Sequence, residues 1–187
     1  MSSLTLVIDL EATCSDGGQI SAEQMETIEI GACWVAENGD IIDQFQSFVQ
    51  PIENPTLTAF CTQLTGINQQ NVNSAPLFPD AAASLFQFVE RYRTSSSTWM
   101  SWGAYDNKQI IRDCSRHVCS NPLSLPHYNA KRMFAKAQKI GKEVGMAKAC
   151  DLTGLGIEGT HHRALDDARN VGRLLPWVLG KRSLKLV

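Results

Sequence analysis

Apolar residues arrive in two rhythms along this chain. The first is strand-like. Leu4-Thr5-Leu6-Val7-Ile8 is an apolar run that ends at Asp9-Leu10-Glu11, and residues 27–35 and 41–49 alternate and carry β-branched side chains. These segments predict three strands, the first of them buried. Between the second and third, Asn38-Gly39-Asp40 is a hairpin signal, because Asn-Gly suits the positive φ values of a tight turn. The three strands should therefore form an antiparallel meander. The second rhythm is helical. A short helix over 57–64 closes at Gly66. Pro79 and Asp80 open an amphipathic helix with Ala82, Leu85, Phe86, Phe88 and Val89 on its apolar side. Residues 98–102 predict a fourth strand, parallel to the first if the connection is the usual crossover. Residues 105–117 predict a helix with Ile110, Ile111 and Cys114 facing inward. A short extended segment over 127–130, helical stretches over 132–138 and 146–153, and a last helix over 163–179 complete the pattern. Periodicity alone gives a mixed α/β fold.

Bulk properties add constraints rather than chemistry. A length of 187 residues suits one domain spanning 1–187, and 43% apolar with 19% charged residues describes a soluble globular protein. No run approaches the roughly 20 apolar residues of a membrane span. Met1-Ser2-Ser3-Leu4 lacks a basic segment ahead of its apolar stretch, so no signal peptide and no membrane partner are expected. The net charge is −2, so any nucleic-acid contact must rest on a local patch and on metal ions. None of the six cysteines forms a Cys-x-x-Cys pair, which argues against a cysteine-based structural zinc site. They read as small buried residues in a reducing, cytoplasmic setting.

The chemistry lies in acids at three distant places. Asp9 and Glu11 end the first strand, where positions i and i+2 share a face. Asp106 follows Trp102-Gly103-Ala104-Tyr105 at a strand-to-helix junction, and Asp166-Asp167 open the last helix just after His161-His162. Carboxylates at the ends of buried strands are costly to desolvate unless something cationic compensates them. Converging acids would repel one another, and divalent ions are the usual remedy. A histidine beside them has an ordinary pKa close to working pH and suits proton abstraction from water. The bland readings are a solvated strand end for Asp9 and Glu11, and a helix N-terminal acid for Asp106.

Asp9-x-Glu11, a middle Asp106 and His162-x4-Asp167, in this order, resemble the pattern of the DEDDh 3′–5′ exonucleases across residues 4–175. The stretch from Phe48-Val49-Gln50-Pro51 through Asn54-Pro55 and Phe60-Cys61 to Leu64-Thr65-Gly66-Ile67 is similar to the branch that trims histone-mRNA tails and short RNAs. The resemblance implies a ribonuclease H-like fold, with a mixed five-stranded sheet flanked by helices. It selects His162 rather than His161 as general base, and Asp167 rather than Asp166 as the helix acid. It implies two Mg²⁺ or Mn²⁺ ions per active site held by Asp9, Glu11, Asp106 and Asp167, and release of nucleoside 5′-monophosphates from a free 3′ end.

Substrate contacts follow the same resemblance. Ala12 and Thr13 would meet the terminal nucleotide through backbone groups, and Leu64-Thr65 would lie near its base and ribose. Met25 would pack at the site mouth. Trp102 is a stacking platform or simply core. His162 also faces the substrate, and Arg163, Arg169, Arg112 and Lys108 are phosphate candidates or ordinary solvated charges. The expected partner is single-stranded nucleic acid, with RNA favoured. A DNA repair or proofreading exonuclease and a non-catalytic nucleic-acid-binding scaffold are the alternatives.

Overall fold

The protein is described here by a computed structural model covering residues 4–184. Met1–Ser3, on which the reading of the N-terminus turns, lie outside the described residues. The first strand, β1 (Leu4–Ala12), pairs antiparallel with β2 (Thr27–Ala36), which pairs antiparallel with β3 (Ile41–Phe48). The predicted hairpin turn is present. Gly39 sits at φ 92°, and its N–H donates to the Ala36 carbonyl at 2.8 Å. Two short helices follow, α1 (Ala59–Thr65) and α2 (Gln69–Asn73). Thr58 caps α1 by accepting the Cys61 N–H, and Gly66 closes it in the left-handed region at φ 68°. The sequence reading contains no α2. Its start is a capping box between Asn68 and Asn71, and five residues are too few to show a helical period.

Next come α3 (Phe78–Glu90), β4 (Trp99–Ser101), α4 (Tyr105–Arg116) and β5 (His127–Asn129). Both short strands join in parallel, giving the sheet order β3-β2-β1-β4-β5. The chain then forms α5 (Ala130–Ala137), α6 (Met146–Thr153), α7 (Ala164–Arg173) and α8 (Leu175–Val178). One long helix over 163–179 is therefore wrong. Pro176 has no N–H for the helical ladder and its ring clashes with the preceding turn, so it starts a new segment.

The sheet is covered on both faces, which is why β1 reads as a continuous apolar run. On one face Leu6, Ile8 and Leu10 pack with Ile30, Ala32 and Trp34 against Leu85 and Phe88 of α3 and Ile110 of α4. On the other, Val7, Cys33 and Val35 pack against Ala168 and Val171 of α7 and Phe134 of α5. Each fully buried large side chain contributes roughly 1.5–3 kcal/mol. Phe86 and Ile111 do not join these cores and are 43% and 52% exposed. Each lies one residue from a buried neighbour, a turn of about 100° toward solvent.

Candidate active site

Alternation along β1 decides where the site lies. Val7, Asp9 and Glu11 share the face that looks toward α7, so the packing row changes from apolar to acidic at the strand's C-terminal end. The paired row of β2 reads Cys33, Gly31 and Glu29 opposite Val7, Asp9 and Glu11. Gly31 is required by the approach of α7: a Cβ there would stand 2.2 Å from the Ala164 carbonyl carbon. The helix N-terminus thus descends beside Asp9. Glu29, fully buried, fastens it: its carboxylate accepts Arg163 Nη2 at 2.9 Å, Arg163 Nε at 3.1 Å and the Ala164 N–H at 3.0 Å.

Asp167 reaches the cleft from the first turn of α7 and lies 5% exposed. Oxygens of Asp9, Glu11 and Asp167 all lie within 4.8 Å of one another. Asp106 arrives from the first turn of α4, after a loop in which Gly103 takes φ 138°. Its Oδ1 accepts the Leu10 N–H at 3.0 Å, tying the middle acid to β1 between Asp9 and Glu11. Asp113, the other acid of α4, is occupied elsewhere: it accepts Thr27 Oγ1 at 2.6 Å and pairs with Arg116.

The four carboxylates line one cleft of about 410 Å³, and among the described residues no Lys or Arg lines it with them. Burial, reinforced by Asp167, Glu29 and Asp106, pushes Glu11 up to about 8. Burial likewise raises Asp106 to about 6, against the pull of N–H groups and Ser101. Asp9 is raised by burial and then by Asp106, Glu11 and Asp167, and Asp167 is raised by burial despite His161. A cluster that resists ionising on its own, built only of hard oxygen donors, fits a divalent cation.

Two adjacent histidines stand at the rim. His162 has φ 63°, an uncommon conformation for a residue with a side chain, and its N–H donates to Asp167 Oδ2 at 3.0 Å. The His161 and His162 rings stack with centroids 4.0 Å apart. Burial, with the neighbouring His161, holds His162 below the usual imidazole range. His161 is more exposed, as a surface or supporting histidine would be, yet its Nδ1 lies 2.9 Å from Asp167 Oδ2.

Of the substrate-contact residues, Ala12, Met25, Leu64 and Trp102 line the cleft with His162. Trp102 is half-buried, and its Nε1 donates to the Val144 carbonyl at 3.0 Å. Thr13 and Thr65 do not line it. Thr13 is buried, with its N–H on the Glu26 carbonyl at 2.8 Å and its hydroxyl accepting the Glu26 N–H. Thr65 donates its hydroxyl to the Cys61 carbonyl at 2.8 Å and so finishes α1. The Glu26 carboxylate accepts the N–H groups of Ile52, Glu53 and Asn54, holding the segment that leads into α1. Among the phosphate candidates, Arg163 is committed to Glu29, and Arg112 donates to Gln109. Arg169 lies 3.9 Å from Asp166, and Lys108 is exposed. Sequence reasoning missed Tyr105, which lines the cleft, and Glu29. The signals were present: an aromatic directly before Asp106, and an acid inside an otherwise apolar strand.

The chain has relatives among known proteins. It is 30% identical to the 3′-5′ exonuclease eri1 of Schizosaccharomyces pombe, covering 91% of this chain and 66% of that protein. It is 27% identical to 3′-5′ exoribonuclease 1 of Homo sapiens, covering 90% of this chain and 50% of that one. It therefore spans between half and two thirds of these relatives' lengths. Among solved structures, the nuclease domain of 3′hExo, a DEDDh family member bound to rAMP, shares the fold at TM-score 0.84 and 23% identity, over 96% of this chain and 93% of that chain. The Exonuclease family model, RNase_T, matches residues 6–175, a span that holds most of β1, all of α7 and every acid of the cleft, and the chain belongs to that family.

Proposed function

We propose that the protein is a metal-dependent 3′–5′ exonuclease that removes nucleoside 5′-monophosphates from the free 3′ end of single-stranded RNA or short oligonucleotides. One observation carries this reading: Asp9, Glu11, Asp106 and Asp167 converge on one cleft, with histidines at its rim. These four would hold two Mg²⁺ or Mn²⁺ ions, which when bound supply positive charge to phosphate oxygens and acidify a water molecule. The chain's own groups do the rest. His162, neutral at neutral pH, accepts the proton of the attacking water. Its backbone bond to Asp167 keeps base and carboxylate in a fixed relation. The Leu10–Asp106 bond does the same for the acids on either side of β1 and α4. Met25, Leu64, Tyr105 and Trp102 form an apolar wall against which a terminal base can rest.

The names of the relatives support RNA as substrate. The six unpaired cysteines support a reducing, cytoplasmic setting. A matched set of 5′-labelled RNA, single-stranded DNA and blunt duplex, with Mg²⁺ or with chelator, tests the reaction. RNA should be shortened stepwise from its 3′ end with Mg²⁺, and the duplex should resist. The sharper comparison replaces only the 3′-terminal ribonucleotide by its 2′-deoxy form, which should slow the first cleavage. An unchanged or faster rate sinks the RNA assignment and puts the DNA exonuclease in its place. No turnover with any divalent ion leaves a nucleic-acid-binding protein.

A further inference from the structure

We propose that His161, His162 and Asp167 form a second metal site, selective for zinc, whose occupation switches the nuclease off. One nitrogen from each ring and one Asp167 oxygen lie within 4.8 Å of one another. Adjacent residues of an extended chain point to opposite sides. The left-handed conformation of His162, φ 63°, sets both rings on the same side, stacked at 4.0 Å with planes 18° apart. Asp167 closes the group, with its Oδ2 2.9 Å from His161 Nδ1. The His161 side chain is 41% exposed, so an ion can reach the group from solvent.

The donor set separates this site from its neighbour. Asp9, Glu11 and Asp167 offer oxygen alone, which suits Mg²⁺. Two imidazoles and one carboxylate suit Zn²⁺, which takes three protein ligands with water in a fourth position. Coordination through His161 Nδ1 would place the ring's single N–H on Nε2, so that a neutral imidazole replaces the hydrogen bond to Asp167 with a bond to the metal. The two donor sets share Asp167, and the zinc set also holds His162. The regulatory consequence rests on the proposed exonuclease reaction: zinc here would occupy the lone pair that takes the water's proton. The existence of the site does not rest on it.

The test titrates the full chain with Zn²⁺ in excess Mg²⁺ against a chromophoric zinc chelator, and follows Co²⁺ binding by its visible absorption. One Zn²⁺ per chain should bind, and bound Co²⁺ should show the intense absorption of low-coordinate nitrogen ligation. His161→Asn should weaken zinc binding by roughly 10–100-fold or more, and raise the zinc concentration that half-inhibits RNA cleavage in parallel. Zinc binding of unchanged strength in His161→Asn overturns the site, as does no binding by a protein that cleaves RNA with Mg²⁺. Histidine-dependent zinc binding without cleavage under any metal would uphold the site and remove the exonuclease reading instead.

Discussion

At the scale of single residues, the two histidines make unequal demands on the chemistry. In the proposed reaction His162 offers the base, whereas His161 bonds the Asp167 carboxylate and stacks on the His162 ring. His162→Ala should lower kcat by about 10²-fold or more, and His161→Ala by much less. The pH profile carries the sign of the shift. His162 is held below the usual imidazole range, so it stays neutral until the solution is more acidic than an ordinary histidine requires. Steady-state rates should therefore hold below the usual imidazole pKa of about 6.5 and fall only at lower pH. Equal losses in the two variants, or an acid limb at or above the ordinary value, would count against this division of roles. Both histidines and all four acids stood out in the sequence because their meaning is local: a strand end, a helix start, a fixed spacing. The His161–Asp167 bond was invisible because it depends on a left-handed residue that no spacing announces.

Elements tell a similar story about what a sequence exposes. The strands β1 to β3 and the helix α6 were legible because their patterning is dictated by the faces they bury. The clamp on α7 was not, since Glu29 and Arg163 meet only once the sheet and the last long helix have docked. Thr13 and Thr65 lie outside the cleft lining for the same reason: Thr13 bonds Glu26 through its N–H and hydroxyl, and the Thr65 hydroxyl finishes α1, contacts that a motif does not reveal. Gly31 is the test of the clamp. Gly31→Ala puts a methyl carbon into the backbone of α7, where no side chain can move aside. Stability by urea denaturation should fall by the upper end of the roughly 1–3 kcal/mol that overpacking costs. Turnover should collapse further than stability does, because Asp167 and His162 ride on the displaced helix end. A variant of lower stability but full kcat would show that the close contact serves folding alone.

For the molecule as a whole, the metal-free state is under electrostatic tension. Glu11 is raised to about 8 and Asp106 to about 6, so in the folded protein both favour the protonated form more than in the unfolded chain. Groups raised in this way stabilise the fold at low pH and lose that contribution as pH rises through the folded values. In chelator, these groups should therefore lower Tm from the ordinary carboxylate values of 3.8 and 4.5 upward, Asp106 until about 6 and Glu11 until about 8, and saturating Mg²⁺ should flatten the decline. A metal-free Tm that climbs over this window would falsify the account of the cleft as a pool of unwilling carboxylates. One feature of the topology reaches into the life of the protein as it is made. Asp9 lies on the first strand and Asp167 on the seventh helix, with β4 and its following helix between them. During synthesis the strand that carries half the acids is complete long before the helix that supplies the last one leaves the ribosome. The emerging chain thus lacks the last acid of the cleft until α7 has been made and has folded back beside β1.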